Sequence, residues 1–226
     1  MKRLFNIVLA FAALSLTIAC DQDVYDKGEG EYSLLRADFV DAHADQDRYV
    51  DYVITDDGDS LVTKPRFTAN WIQTADSVYR VLLYYNSTNV HEAEAVQVGQ
   101  VLTAIPKDPS RIKGAVKTDP LYLESVWTSR NGRYINLRLR VLTGVNEGEE
   151  PAGQVFGILN EGVRENAVEG RAAHVLRLYH NQNSQPQYYS HIVFLSVPLS
   201  QVRSGVVVLR VNTYDGEVEK VIVVNQ

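Results

Sequence analysis

One cysteine, one methionine and two tryptophans are all that this 226-residue chain spends on those residue types. A single thiol forms no internal disulfide and builds no cysteine-based zinc site, so stability has to come from burial. No uncharged apolar run reaches the roughly 20 residues that a membrane-spanning helix needs. Missing too are a Gly-x-Ser-x-Gly elbow, a phosphate-cradling glycine loop and the glutamate motif of zinc hydrolases, so no local catalytic signature is present. Positive charge is scarce: 22 Lys+Arg stand against 28 Asp+Glu, a net −6. That balance speaks against a nucleic-acid partner, which needs a basic surface. Helical periodicity is rare, and no internal repeat is visible.

What is present begins with the position of the lone cysteine. Lys2 and Arg3 precede an apolar segment, Leu4 to Ala19, which ends in a small residue just before Cys20. This is the order of a secretory signal. The ending resembles a bacterial lipobox, at which the cysteine receives a diacylglyceryl group and becomes the new N-terminus. Thr17 occupies a place that leucine more often holds. Residues 1–19 are therefore expected to be a lipoprotein signal peptide, and Cys20 to carry palmitate-type acyl chains, two of which suffice for stable anchoring. Residues 20–30, "CDQDVYDKGEG", read as a flexible stalk. The expected location is the outer membrane, on its periplasmic face or at the cell surface.

Behind the stalk, residues 31–110 hold 6 Lys+Arg against 13 Asp+Glu, and residues 111–226 hold 13 against 11, which places a boundary near Pro106 to Asp119. The dominant period is two. In "YINLRLRVL", Ile135, Leu137, Leu139 and Val141 share one face, and Tyr134, Asn136, Arg138 and Arg140 the other. The first set reads as core and the second as a solvated outer face rather than a binding stripe. Asp215-Gly216 and Asp57-Gly58 each sit between strand-forming runs and predict hairpins. "SVYRVLLYYN" reads as a strand, and the stretch from Ala172 to Leu199 as two strands around a turn rich in Asn, Gln and Pro. "AGQVFGILNEGVREN" has spacing that also tolerates a short helix, against which its glycines weigh. The fold class is all-β.

The run "SVWTSRNGRYINL", with Trp-x-Ser leading through a turn to Tyr-x-Asn-Leu, resembles NigD-like lipoproteins, as does "LRLYHNQNSQPQYYSHIVFLSVPLS", with Leu-x-Leu-Tyr-His, Tyr-Ser and Ser-x-Pro-Leu. "TDDGDSL" and "SVYRVLLYYN" match more weakly, and the usual Thr-Lys close is absent at "VLTAIPKDPS". The resemblance implies an N-terminal OB-type barrel at 31–107 followed by a β-sandwich at 116–226. It implies no catalytic residues. The family's name, taken from a bacteriocin-associated gene cluster, points to a protective, immunity-type role as one alternative.

The candidate sites are few. Asp45, Asp47, Asp51, Asp56, Asp57 and Asp59 form an acidic stretch whose carboxylates suit calcium, but their order departs from the EF-hand loop, and they read as a turn-forming edge. His174 and His180 share a strand face, and His191 is expected on a strand returning beside them, a possible metal set whose alternative is local hydrogen bonding. No cofactor is expected. Tyr84-Tyr85 and Tyr188-Tyr189 are expected to send one ring to each side of a strand, leaving one per pair for a ligand. Trp71 and Trp127 read as core or inter-domain anchors. Together these features describe a lipid-anchored, non-catalytic envelope module for a protein or glycan partner. An envelope hydrolase with a dispersed site stays open as an alternative, because carboxylate pairs or Ser-His-Asp sets can assemble from distant strands.

Overall fold

The computed structural model describes residues 35–148, 153–202 and 205–224. The expected signal peptide, Cys20 and the expected stalk lie outside them. No helix among the described residues is long and apolar enough to cross a membrane.

Five strands come first: β1 Leu35–Ala44, β2 Val50–Thr55, β3 Ser60–Phe67, β4 Ser77–Asn89 and β5 Glu92–Gln100. They close into a barrel in the order β1-β2-β3-β5-β4, with β3 and β5 parallel. Closure removes the exposed sheet edges that would otherwise invite pairing with other chains. Alternation decides the interior: Val40 and Ala42 on β1, and Val81, Leu83 and Tyr85 on β4, are fully buried. This is the expected OB-type barrel, with the Asp57-Gly58 hairpin joining β2 to β3.

Eight further strands follow: β6 Leu102–Thr103, β7 Tyr122–Thr128, β8 Tyr134–Thr143, β9 Val155–Val168, β10 Arg171–Asn181, β11 Tyr189–Pro198, β12 Val206–Thr213 and β13 Gly216–Val223. They make two four-stranded sheets, β13-β12-β10-β9 and β6-β11-β8-β7. One core joins them, with Leu137, Leu139 and Leu195 from the second sheet packed against Leu176 and Leu209 from the first. The inward row Ile135, Leu137, Leu139 and Val141 is buried as expected. At the β12–β13 hairpin Gly216 takes a φ of 108°, a left-handed conformation that a side chain would strain.

The segment leaving the barrel covers an edge of each sheet in turn. β6 runs parallel to β11, and the Ala104 amide donates to the Ser196 carbonyl at 2.9 Å. Three residues on, the Lys107 amide donates to the Ile158 carbonyl of β9, also at 2.9 Å, and its carbonyl accepts from the Asn160 amide. Thr118 and Leu121 then bridge to His180 and Thr213, beyond the point where the parallel pairing of β10 with β12 ends.

The glycines of residues 152–166 weigh against a helix as expected: the chain from Val155 is strand β9, and the left-handed Gly162 sits at an irregularity in its pairing with β10. Two expectations are corrected. β10 and β11 are not a hairpin: β11 pairs with β8 in one sheet and β10 with β9 and β12 in the other. The outer face of β8 is solvated only in part. Asn136 is fully buried, whereas Arg138 and Arg140 reach solvent and pair with Glu124.

Candidate functional site

What buries Asn136 is the barrel. Arg80, on the barrel's outward face, is 5 % exposed. Its Nη2 donates to both carboxylate oxygens of Asp56 at 2.7 and 2.8 Å and to Asn136 Oδ1 at 3.2 Å. Nη1 reaches Asp41 Oδ1 at 3.3 Å, and Nε donates to Ser196 Oγ at 3.1 Å. Ser196 Oγ in turn donates to Asn136 Oδ1 at 2.7 Å, and Asn136 Nδ2 to Asp56 Oδ2 at 2.8 Å. Arg133 Nη1 lies 2.6 Å from Asp41 Oδ2, a charge contact whose angle falls short of a hydrogen bond. The Arg80 guanidinium also lies over the Tyr134 ring at 4.1 Å, and beside it Phe39 packs against Trp127 and Phe194 at 5.4 Å each. Burial raises the Asp56 carboxyl above its usual range, opposed by Arg80 and Asn136, and raises the Tyr134 phenol, reinforced by Asp41.

This network couples barrel to sandwich, and it absorbs the segments that carry the resemblance. Asn136 belongs to Tyr-x-Asn-Leu and Ser196 to Ser-x-Pro-Leu; Trp127 and Ser129 form Trp-x-Ser, with Ser129 Oγ accepting the Arg133 and Tyr134 amides. In Leu-x-Leu-Tyr-His, His180 is buried. Its Nδ1–H donates to the Asp119 carbonyl at 2.9 Å, Nε2 faces Gln154 at 2.9 Å, and the ring stacks on Phe156. Desolvation lowers its pKa. These motif side chains hold the architecture together. Sequence reasoning missed Arg80, because an arginine on a barrel's outward face reads as solvated and nothing local marks the sheet that covers it.

The acidic stretch is dispersed into turns and ion pairs. Asp45 Oδ1 accepts the Asp47 and Tyr49 amides at 2.9 Å, and its Oδ2 pairs with Arg66. Asp57 lies 3.5 Å from Arg130, and the Asp59 amide donates to Thr55 Oγ1. His174 is buried with Nε2 2.8 Å from Asn160 Oδ1, and His191 is exposed on β11, in the other sheet from His174 and His180. Among the described residues no three His, Cys, Asp or Glu side chains gather as a metal group.

The tyrosines divide differently from expectation. Tyr85 fills the barrel, donating to Asp38 Oδ2 at 2.7 Å; burial, then Asp38, pushes its phenol well up. Tyr84 is half-buried. Tyr188 and Tyr189 do not split between faces, because Tyr188 precedes β11, and they are 70 % and 58 % exposed. The Tyr188 ring is nonetheless held. A Cβ on Gly144 would sit 2.7 Å from Tyr188 Cδ2, so the bare glycine backbone lets the ring lie against it. The hydroxyl donates to Asn146 Oδ1 at 3.0 Å, and the backbone amide to the Thr143 carbonyl at 2.9 Å. An exposed aromatic fixed in this way presents contact area at little entropic cost.

Solved structures share this fold. A NigD-like immunity protein from Bacteroides caccae superimposes with a TM-score of 0.60 at 24 % identity, covering 82 % of this chain and 91 % of that one. The chain has the NigD-like fold. A protein from Parabacteroides distasonis provisionally described as toxin-related matches at 0.63 with 19 % identity, over 84 % and 93 % of the two chains. One from Bacteroides fragilis provisionally described as a lipoprotein matches at 0.54 with 14 % identity, over 83 % and 96 %. No family model and no curated protein matches the sequence. The NigD-like fold supplies the barrel and sandwich; function has to be argued from this chain's own surface.

Proposed function

We propose that this chain is a lipid-anchored, non-catalytic envelope module that engages a protein or glycan partner through the Tyr188-Tyr189 surface. The observation that carries the reading is the exposed Tyr188 ring, held by Gly144 and Asn146 while its outer face stays open. Fixed tyrosines of this kind suit both sugar stacking and protein contact. The anchor rests on the lipobox-like ending at Cys20.

In-cell crosslinking of the tethered full-length protein, followed by mass spectrometry, tests both halves. A stoichiometric envelope partner or envelope glycan is expected, with capture reduced about tenfold or more by Tyr188→Ala, the loss of one central aromatic contact of about 2 kcal/mol. Gly144→Ala should act in the same direction by displacing the ring. Cys20→Ser should abolish fatty-acid labelling. Recovery of the protein alone, or capture indifferent to Tyr188, refutes the binding surface; labelling that persists in Cys20→Ser refutes the anchor.

A second reading, an immunity-type role, is favoured by the likeness to the Bacteroides caccae immunity protein. Deleting the gene should then sensitise the cell to a bacteriocin of a neighbouring strain. Unchanged sensitivity across a panel of such toxins would remove it.

A further inference from the structure

The segment joining barrel to sandwich differs from the rest of the molecule in its charge. Residues 106–117, "PKDPSRIKGAVK", contain Lys107, Arg111, Lys113 and Lys117 with one acid, Asp108, in a chain of net −6. That acid is exposed and serves its own segment: Asp108 Oδ1 accepts the Ser110 amide at 2.8 Å and caps the short 3-10 turn Pro109–Arg111, and its charge acts on Arg111 from beyond ion-pair distance. Arginines elsewhere are mostly neutralised. The outer face of the first sheet, for example, interleaves Arg164, Arg177 and Arg210 with Glu161, Glu217 and Glu219. None of the four cations of the segment has a carboxylate within ion-pair distance, and outside it only Arg48 and Lys220 share that state among the described residues.

Three of these cations, Lys107, Arg111 and Lys113, line one groove of about 470 Å³. Its other wall is the start of β9 with Tyr179 of β10, and Ile112 lines it from the side of the joining segment. Ile105 and Val155 also line it and remain 56 % and 47 % exposed, an apolar mouth open to water. The groove is built on paired backbone, because the two hydrogen bonds between Lys107 and β9 hold one wall to the other. A volume in the range of small-molecule sites, an exposed apolar lining and convergent cations without ion-pair partners are the ingredients of a ligand pocket. Neither the barrel–sandwich network nor the Tyr188 surface uses any of them.

We propose that this groove binds an amphipathic anion, a single carboxylate or phosphate group on an apolar chain or ring. The anionic group lies among Lys107, Arg111 and Lys113 and the apolar body on Ile105, Val155 and Tyr179. A neutral ligand of the same body leaves the cations unanswered, and a bare anion leaves the apolar lining wet. Both parts are required. The same chemistry is offered by a free acid and by the head and first methylenes of an anionic lipid.

The test is calorimetric titration of the full-length acylated protein in phosphatidylcholine nanodiscs, with empty discs subtracted, using octanoate, 1-octanol and acetate as probes. Octanoate should bind at one site at least tenfold more tightly than either octanol or acetate, and should weaken as salt rises. The triple variant Lys107→Gln, Arg111→Gln, Lys113→Gln changes only exposed side chains and should lose at least tenfold in octanoate affinity. Gly157→Leu, which adds bulk beside Tyr179, should lose octanoate without altering the charge. Repeating the titration in discs containing phosphatidylglycerol separates the sources: abolished octanoate binding identifies the lipid head as occupant, and unchanged binding identifies a free acid. Octanoate that binds no better than octanol in the wild type, or equally well in the triple variant, overturns the proposal, and the wild-type comparison stands even if a variant fails to fold.

Discussion

Arg80→Met should lower stability by about 3–5 kcal/mol, the loss typical when one partner of a buried ion pair is removed and its counter-charge stays behind. Asp41 is 1 % exposed, and Asp56 would lose both of its short contacts to Nη2. Asn136 and Ser196 would each lose a partner at the same time, so the damage falls on barrel and sandwich together. For a chain of this size each kcal/mol moves the melting temperature by about 2–4 °C. Thermal and urea unfolding should therefore show a drop well over 5 °C. Adding Asp41→Asn and Asp56→Asn to Arg80→Met should recover part of the loss, because the buried charges go with it. A melting temperature within 2 °C of wild type for the single variant would mean that the network is dispensable.

Leu137→Ala comes next, with an expected loss of about 2–5 kcal/mol from the transfer term and the cavity left behind. Leu137 is fully buried in the core shared by both sheets. The neighbouring Arg138 supplies the control. It is half-exposed and paired with Glu124, so Arg138→Ala should stay within about 1 kcal/mol. Adjacent residues on one strand then differ several-fold in effect, which urea midpoints would measure directly. Equal losses at 137 and 138 would contradict the placement of β8.

That pair also shows what a strand reveals before it is folded. The row Ile135, Leu137, Leu139, Val141 was legible because side chains alternate across a strand and one face was uniformly apolar. The opposite row was half-legible. Arg138 and Arg140 meet solvent as their charge suggests, whereas Asn136 in the same row is sealed by a barrel strand more than fifty positions away. The histidines failed for a related reason. A turn rich in Asn and Pro predicts that the chain reverses, not that it reverses into the same sheet, and β11 crosses to the other one. From the sequence Tyr188 is a candidate for an exposed ring, but the glycine and asparagine that hold it lie more than forty residues earlier.

By itself the sequence determined the all-β class, the two Asp-Gly hairpins, the inward rows and the lipobox-like setting of Cys20, since each depends on residues that are neighbours along the chain. The tertiary structure alone decided which strands share a sheet and which outward face is covered. It also brought Arg80 to Ser196, 116 residues apart, and Lys107 to the edge of β9. Burial of a charge and the shape of a groove are properties of surfaces meeting, and such meetings are set by packing between distant segments, which leaves no local periodicity to read.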